Sequence, residues 1–170
     1  HSNSRREFLQ KMIALTALAG VAPYADAFGQ PYAEIRKGKL PLRPLGKTGH
    51  MVSIYSLGGQ GFIEIPGKED ISVEIINRAL DLGINYIDTA AAYGRQTPTV
   101  ARADAMGTSE RNMGQVMKYR RKEVFLASKT HDRTYDGSLK LLEKSLRQLN
   151  TDHLDLWQIH NVRMAEMETL

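Results

Sequence analysis

The chain has 170 residues, about one domain by length. With 42% hydrophobic and 25% charged residues it is neither disordered, nor collagen-like, nor a multi-span membrane protein. The net charge of +4 comes without a dense basic block, so no nucleic-acid partner is expected. The nearest thing to one, Arg120-Arg121-Lys122, follows a helical stretch and reads as a solvated helix end. There is no cysteine, which excludes disulfides, thiolate zinc sites and iron–sulfur ligation within these residues, and no metal site is expected.

Residues 1–27 have the layout of an export signal: a charged start, an apolar run from Met12 to Ala22, and a small-x-small site at Ala25-Asp26-Ala27. The run is 11 residues, well short of the roughly 20 that cross a bilayer, so an integral membrane protein is not expected. Arg5-Arg6 followed by Phe8-Leu9 resembles the twin-arginine export motif, with the closing lysine displaced by one to Lys11. That resemblance implies the twin-arginine export machinery as a partner through residues 4–27, and a periplasmic or exported protein that leaves the cytoplasm already folded.

Residues 28–50 form a basic, proline-punctuated lead-in. From there the hydrophobic period switches repeatedly. Met51–Leu57 reads as a strand closed by Gly58-Gly59-Gln60-Gly61. Ser72–Leu82 carries a helical face at Ile75, Ile76, Ala79 and Leu80, with Gly83 as the C-terminal glycine. Ile84–Ile87 is a short strand ending at Asp88. A second helix starts with Ser109 as N-cap and runs through Met113, Val116 and Met117. Val124–Ala127 is the third strand. Leu139, Leu142, Leu146 and Leu149 make one helix stripe that stops near Asn150, and Leu154–Ile159 is a fourth strand whose unbroken apolar character suits a parallel sheet buried on both faces. The order β-α-β-α-β-α-β predicts an α/β fold with a parallel sheet and right-handed crossovers, and an insertion between the second and third strands.

In such sheets chemistry collects at the C-terminal ends of the strands. There the sequence places Asp88, Tyr93 five residues on, Ser128-Lys129 and His160-Asn161. Singly, each has an ordinary structural explanation: a cap, a rim aromatic, a solvated lysine, a core histidine. Together they make a proton-transfer set. An ammonium near a phenol favours the phenolate, a carboxylate holds the lysine in place, and an imidazole can orient a carbonyl. Such a tyrosine gives a proton to a carbonyl oxygen while a hydride, brought by a nicotinamide, reaches the carbon.

With these residues in view, the chain resembles the aldo/keto reductases. The matching stretches are RPLGKTGHMVS from Arg43, LGGQGF from Leu57, LGINYIDTAAAYG from Leu82, SERNMG from Ser109, VFLASKT from Val124 and HLDLWQIHN from His153, in the family's order. The resemblance implies a (β/α)8 TIM barrel, of which about four βα units lie within residues 51–170, and reduction of a small carbonyl substrate with NADP(H) in preference to NAD(H). It implies Tyr93 as general acid, Lys129 and Asp88 as its support, and His160 as the group orienting the carbonyl. Gly59, Gln60 and Asp88 would lie near the nicotinamide ribose, and Phe62, His160 and Asn161 would border the substrate.

Two departures stand out. Between Gly94 and Ser109 this chain has 14 residues, Arg95 to Thr108, where the family has about one; a polar surface loop over the site rim is expected there, able to restrict substrate access. And a complete barrel takes about 250 residues, so a longer gene product is expected, with paired half-barrels as the alternative. Two other functional readings are a non-catalytic cofactor-binding or regulatory subunit on the same fold and an inactive half-barrel fragment. An open dinucleotide-binding domain is set aside, because Gly59-Gln60-Gly61 lacks the third glycine of that fingerprint.

Overall fold

The structure, a computed structural model, describes residues 40–163. The export-signal reading of residues 1–27 therefore lies outside the described residues. In chain order the elements are strands β1 (Leu42–Pro44), β2 (Met51–Ser53) and β3 (Leu57–Gly58), helix α1 (Glu69–Asp81), strand β4 (Tyr86–Asp88), the short helix α2 (Arg102–Ala105), helix α3 (Thr108–Arg120), a 3-10 turn (Arg121–Glu123), strand β5 (Phe125–Thr130), helix α4 (Tyr135–Gln148) and strand β6 (Leu156–Ile159). Strands β3, β4, β5 and β6 form one parallel sheet in sequence order, and β1–β2 form a separate antiparallel hairpin.

Helix α1 buries Ile76, Ala79 and Leu80 on one face. It ends as the glycine at 83 requires: Gly83 has φ +93°, its N–H donates to Leu80 O (2.9 Å), and the Ile84 N–H reaches back to Ala79 O (3.0 Å). Helix α4 closes in the same way on Asn150 (φ +50°), whose N–H donates to Arg147 O while the Thr151 N–H donates to Leu146 O. One core cluster joins Ile76 and Leu80 of α1, Ile87 of β4, Met113, Val116 and Met117 of α3, Leu126 of β5 and Leu149 at the end of α4.

Four expectations are corrected. The 51–57 run is not one strand. Met51–Ser53 pairs back on Leu42–Pro44, and Asn85 stitches it down by accepting from the Ser53 N–H (2.7 Å) and donating to Met51 O (2.9 Å), so that only Leu57–Gly58 enters the parallel sheet. Ser109 is not an N-cap. Gly107 (φ +79°) starts α3, and Ser109 is buried with its hydroxyl turned to Thr89. Strand β6 is half-buried, with Ile159 exposed, and does not show burial on both faces. Finally, Arg120-Arg121-Lys122 is more than a solvated end: Arg120 ties α3 to Asp81 and Asn77, and Arg121 is ion-paired to Asp155 at 2.7 Å with both side chains largely buried.

Where α3 crosses the end of α4, Gly114 lies against backbone. A Cβ there would run into the carbonyl of Gln148 and the carbonyl carbon of Leu149. Neither atom belongs to a flexible side chain, so the helices must part to admit it. Gly114→Ala should therefore destabilise the protein by about 1–3 kcal/mol despite alanine's better helix propensity. Urea unfolding measures this, and an unchanged or raised midpoint would contradict the close approach.

Candidate active site

Because β4, β5 and β6 run parallel and in register, their C-terminal ends lie side by side. Asp88 is the last residue of β4 and stands opposite Ala127, so Lys129 on β5 projects just beyond it. The Lys129 ammonium is ion-paired to Asp88 Oδ2 at 2.5 Å and donates to the Thr89 carbonyl at 2.8 Å, with its side chain only 12% exposed. It also lies 5.2 Å from the centroid of the Tyr93 ring. Tyr93 Oη is 3.5 Å from His160 Nε2, and the two rings meet edge to face at 5.4 Å. His160 is fixed just past β6 by its own N–H, which donates to Thr130 O (2.8 Å) and extends the β5–β6 ladder. Asp88, Tyr93, Lys129 and His160 are thus drawn from three strand ends into one cluster.

The electrostatics of that cluster act on His160. Burial, then the positive charge of Lys129, then His131, hold its imidazole below the ordinary histidine range, and Asp88 opposes them only in part. The ring is therefore neutral at pH 7 and can hydrogen-bond a polar oxygen without carrying charge.

Behind the cluster lies a layer whose Gly59 and Ser128 the sequence names but whose contacts it does not show. Gly59 donates its N–H to Asp88 O (2.7 Å), and a Cβ on it would strike the Ser109 hydroxyl and come within 2.8 Å of Thr89 Oγ1, which are hydrogen-bonded to each other at 2.9 Å. Beneath Lys129, Ser128 donates to the fully buried Glu110 (2.6 Å), whose carboxyl is pushed up by that burial. Two arginines hold the loops. Arg102 donates to the carbonyls of Gly94 and Ala92, the latter at 3.1 Å, and Arg133 donates to those of His160 (2.8 Å) and Asn161 (3.2 Å). An arginine whose partner is a distant backbone carbonyl leaves no periodic trace in a sequence.

The remaining candidates sit further out. Gln60 and Phe62 are exposed at the end of β3, and Asn161 is exposed in a left-handed conformation after β6, so they occupy opposite edges of the four-stranded sheet. At the β3 end a Cβ on Gly58 would meet nothing within 4 Å, which leaves open space beside the half-exposed carboxylate of its register partner Asp88. A half-exposed carboxylate beside bare backbone suits a hydroxyl-bearing group, so these residues fit the ribose of a nicotinamide nucleotide. Among the described residues no group of three or more histidine, aspartate or glutamate side chains could hold a metal ion, and no helix is long and apolar enough to cross a membrane.

Residues 56–168 match the aldo/keto reductase family. The chain belongs to that family. It is 32% identical over 135 residues to a 6-dehydroglucose reductase of Novosphingobium aromaticivorans, a match covering 71% of this chain and 43% of that one. Its fold superposes on the holo form of an aldo-keto reductase from Bacillus halodurans with a TM-score of 0.58 at 28% identity, over 75% of this chain and 42% of that one. It also superposes on an aldo-keto reductase from Klebsiella pneumoniae in complex with NADPH, with a TM-score of 0.55 at 29% identity, over 65% and 36% of the two chains. The parallel sheet described here is accordingly part of a (β/α)8 barrel. The chain spans less than half the length of the curated relatives it matches.

The lowered His160 value has a consequence for stability. The folded protein binds fewer protons at this site than the unfolded chain does near pH 6, so His160 contributes a loss of stability as the pH falls from 7 through the ordinary histidine range of about 6.5. NMR titration should put its midpoint below that value, and the stability of His160→Gln should fall less than that of the wild type between pH 7 and 5. A midpoint at or above about 6.5 would contradict this electrostatic account.

Proposed function

We propose that the protein reduces aldehydes or ketones to alcohols by hydride transfer, with Tyr93 as the general acid. The observation that carries this reading is the 3.5 Å approach of Tyr93 Oη to His160 Nε2 with Lys129, itself ion-paired to Asp88, beside the phenol ring. A carbonyl oxygen placed at Oη and Nε2 takes a hydrogen bond from each. Tyr93 then delivers its proton to that oxygen, and the Lys129 ammonium stabilises the negative charge left on the phenol. Asp88 keeps the lysine from turning to solvent. Neutral His160 orients the carbonyl. By the family resemblance Phe62 and Asn161, exposed at the two edges of the sheet, would border the substrate.

A nicotinamide, bound near Gly59, Gln60 and Asp88, would supply the hydride. NADP(H) is proposed in preference to NAD(H), supported by the NADPH complex of the Klebsiella pneumoniae relative. In the full-length protein Tyr93→Phe should lower turnover of a generic aldehyde by at least about 100-fold, the low end of what a positioned acid contributes. Fluorescence titration should find NADPH affinity within about twofold of the wild type, since the phenol hydroxyl serves the proton step and not nucleotide binding. Retained turnover would remove Tyr93 as the acid. A wild-type protein that binds NADPH but oxidises it with no carbonyl would favour the non-catalytic subunit.

We further propose export through a twin-arginine-type signal in residues 1–27. The support is the Arg5-Arg6 pair ahead of an apolar run too short to span a bilayer. Replacing Arg5 and Arg6 by lysine keeps the charge and removes the arginine pair. The protein should then shift from the periplasmic to the cytoplasmic fraction, and unchanged fractionation would exclude this route.

A further inference from the structure

The insertion at 95–108 is a surface segment, mostly exposed over residues 95–104, with local structure of its own. It carries a bridge between Thr97 and Val100 and the short helix α2, whose Ala105 is fully buried. The insertion is locked to the start of α3: Thr108 Oγ1 donates to Ala105 O (2.6 Å), and Arg111 donates to Thr108 Oγ1 (2.7 Å) and to Met106 O (3.0 Å). It is also seated on the tyrosine loop, because a Cβ on Gly94 would overlap the Ala105 carbonyl. From the first turn of α2, Arg102 turns its guanidinium back onto that loop, Nη1 to Gly94 O and Nη2 to Ala92 O.

Those two carbonyls bracket Tyr93. Its own peptide groups are bound as well, the N–H to Ala90 O (2.9 Å) and the carbonyl to the Ser109 N–H (3.3 Å). Among the described residues the side chain has one hydrogen-bond contact, the long 3.5 Å approach to His160, beside its edge-to-face contact with that ring and the Lys129 ammonium over its own. The direction of the phenol therefore depends on the backbone on either side of it as well as on those ring contacts, and one planar, rigid fork holds both flanking carbonyls.

We propose that Arg102 is a positioning residue for the reaction: it fixes the Tyr93 backbone so that Oη stays within reach of His160 and the substrate oxygen. This inference rests on the reductase reading above. A misplacement of about 1 Å can cost on the order of 100-fold in rate, so loss of the fork acts on kcat and not on nucleotide affinity.

The experiment compares the full-length wild type, Arg102→Ala and Arg102→Lys by steady-state kinetics with NADPH and a generic aldehyde, by NADPH titration, and by amide hydrogen exchange. Arg102→Ala should lose about 10- to 100-fold in kcat, with KM and NADPH affinity within about twofold, and the amides of residues 91–95 should exchange faster while those of β5 do not. Arg102→Lys should be intermediate, since an ammonium replaces the charge but not the fork. It also carries the test should Arg102→Ala fail to fold. An active wild type with kcat unchanged in both variants would overturn the proposal, as would a loss of activity matched by faster exchange throughout the core. A wild type inactive with every carbonyl would overturn the reductase reading and the positioning role of Arg102 with it; the exchange comparison would then report an architectural contact alone.

Discussion

The ion pair between Lys129 and Asp88 is the contact on which the site depends. An ammonium that is only 12% exposed must be matched by opposite charge and by acceptors, because the cost of leaving it unpaired at such a depth runs to several kcal/mol. Asp88 and the Thr89 carbonyl meet that need, and both belong to the end of β4, while the lysine belongs to β5. The pair can form only if the two strands are parallel and in the observed register, Asp88 opposite Ala127. A one-residue slip would turn Lys129 to the other face of the sheet. The fold thus creates the pair, and the pair fixes the point against which Tyr93 packs.

What surrounds the pair follows a common pattern. The strand ends leave carbonyl groups in the loops, and these loops must hold functional side chains still without belonging to a strand. The chain does this with long-range hydrogen bonds to backbone. Arg102 holds the loop after β4 and Arg133 the loop after β6, each with its guanidinium on two carbonyls of the loop that bears Tyr93 or His160. The Thr89–Ser109 hydroxyl pair and Gly59 fill the space behind Asp88, leaving no room for a side chain at 59. Rigid scaffold and placed loop are therefore joined by side chains that never touch the reacting atoms.

Most of the scaffold was legible because its signals are local. The stripe of α1, the left-handed stops at Gly83 and Asn150, and the short apolar strands each depend on a handful of neighbouring residues. The four site residues could be named for the same reason: each lies at a strand end or in the loop that follows. The failures were of another kind. The 51–57 run has strand character throughout, and what divides it is pairing with Leu42–Pro44 and the side chain of Asn85 more than thirty residues away. Ser109 has the composition of an N-cap, but a buried hydroxyl on Thr89 competes for it and wins. The polar insertion keeps its mostly exposed residues, and the buried Ala105 and the Arg102 that anchor it carry no period. Tertiary hydrogen bonds between residues far apart in sequence cannot be read from spacing.

The electrostatics of the cluster give its two hydrogen-bonding groups different tasks on the proposed reaction. A protonated imidazole beside Tyr93 would be a stronger acid than any phenol and would compete to protonate the substrate oxygen. Burial and the charge of Lys129 work against that form by holding His160 below its ordinary range, with Asp88 opposing them only weakly. On the proposed reaction one ammonium serves both groups: it disfavours a proton on the imidazole, and it stands beside the ring of the phenol that gives its proton away. The lysine must be close to both groups for this to hold, and it is: ion-paired at the end of β4, beneath the tyrosine ring, and next to the strand that delivers the histidine. Removing its charge would release His160 as well as leave Tyr93 unsupported, so the two effects belong to a single interaction and cannot be separated by changing Lys129 alone.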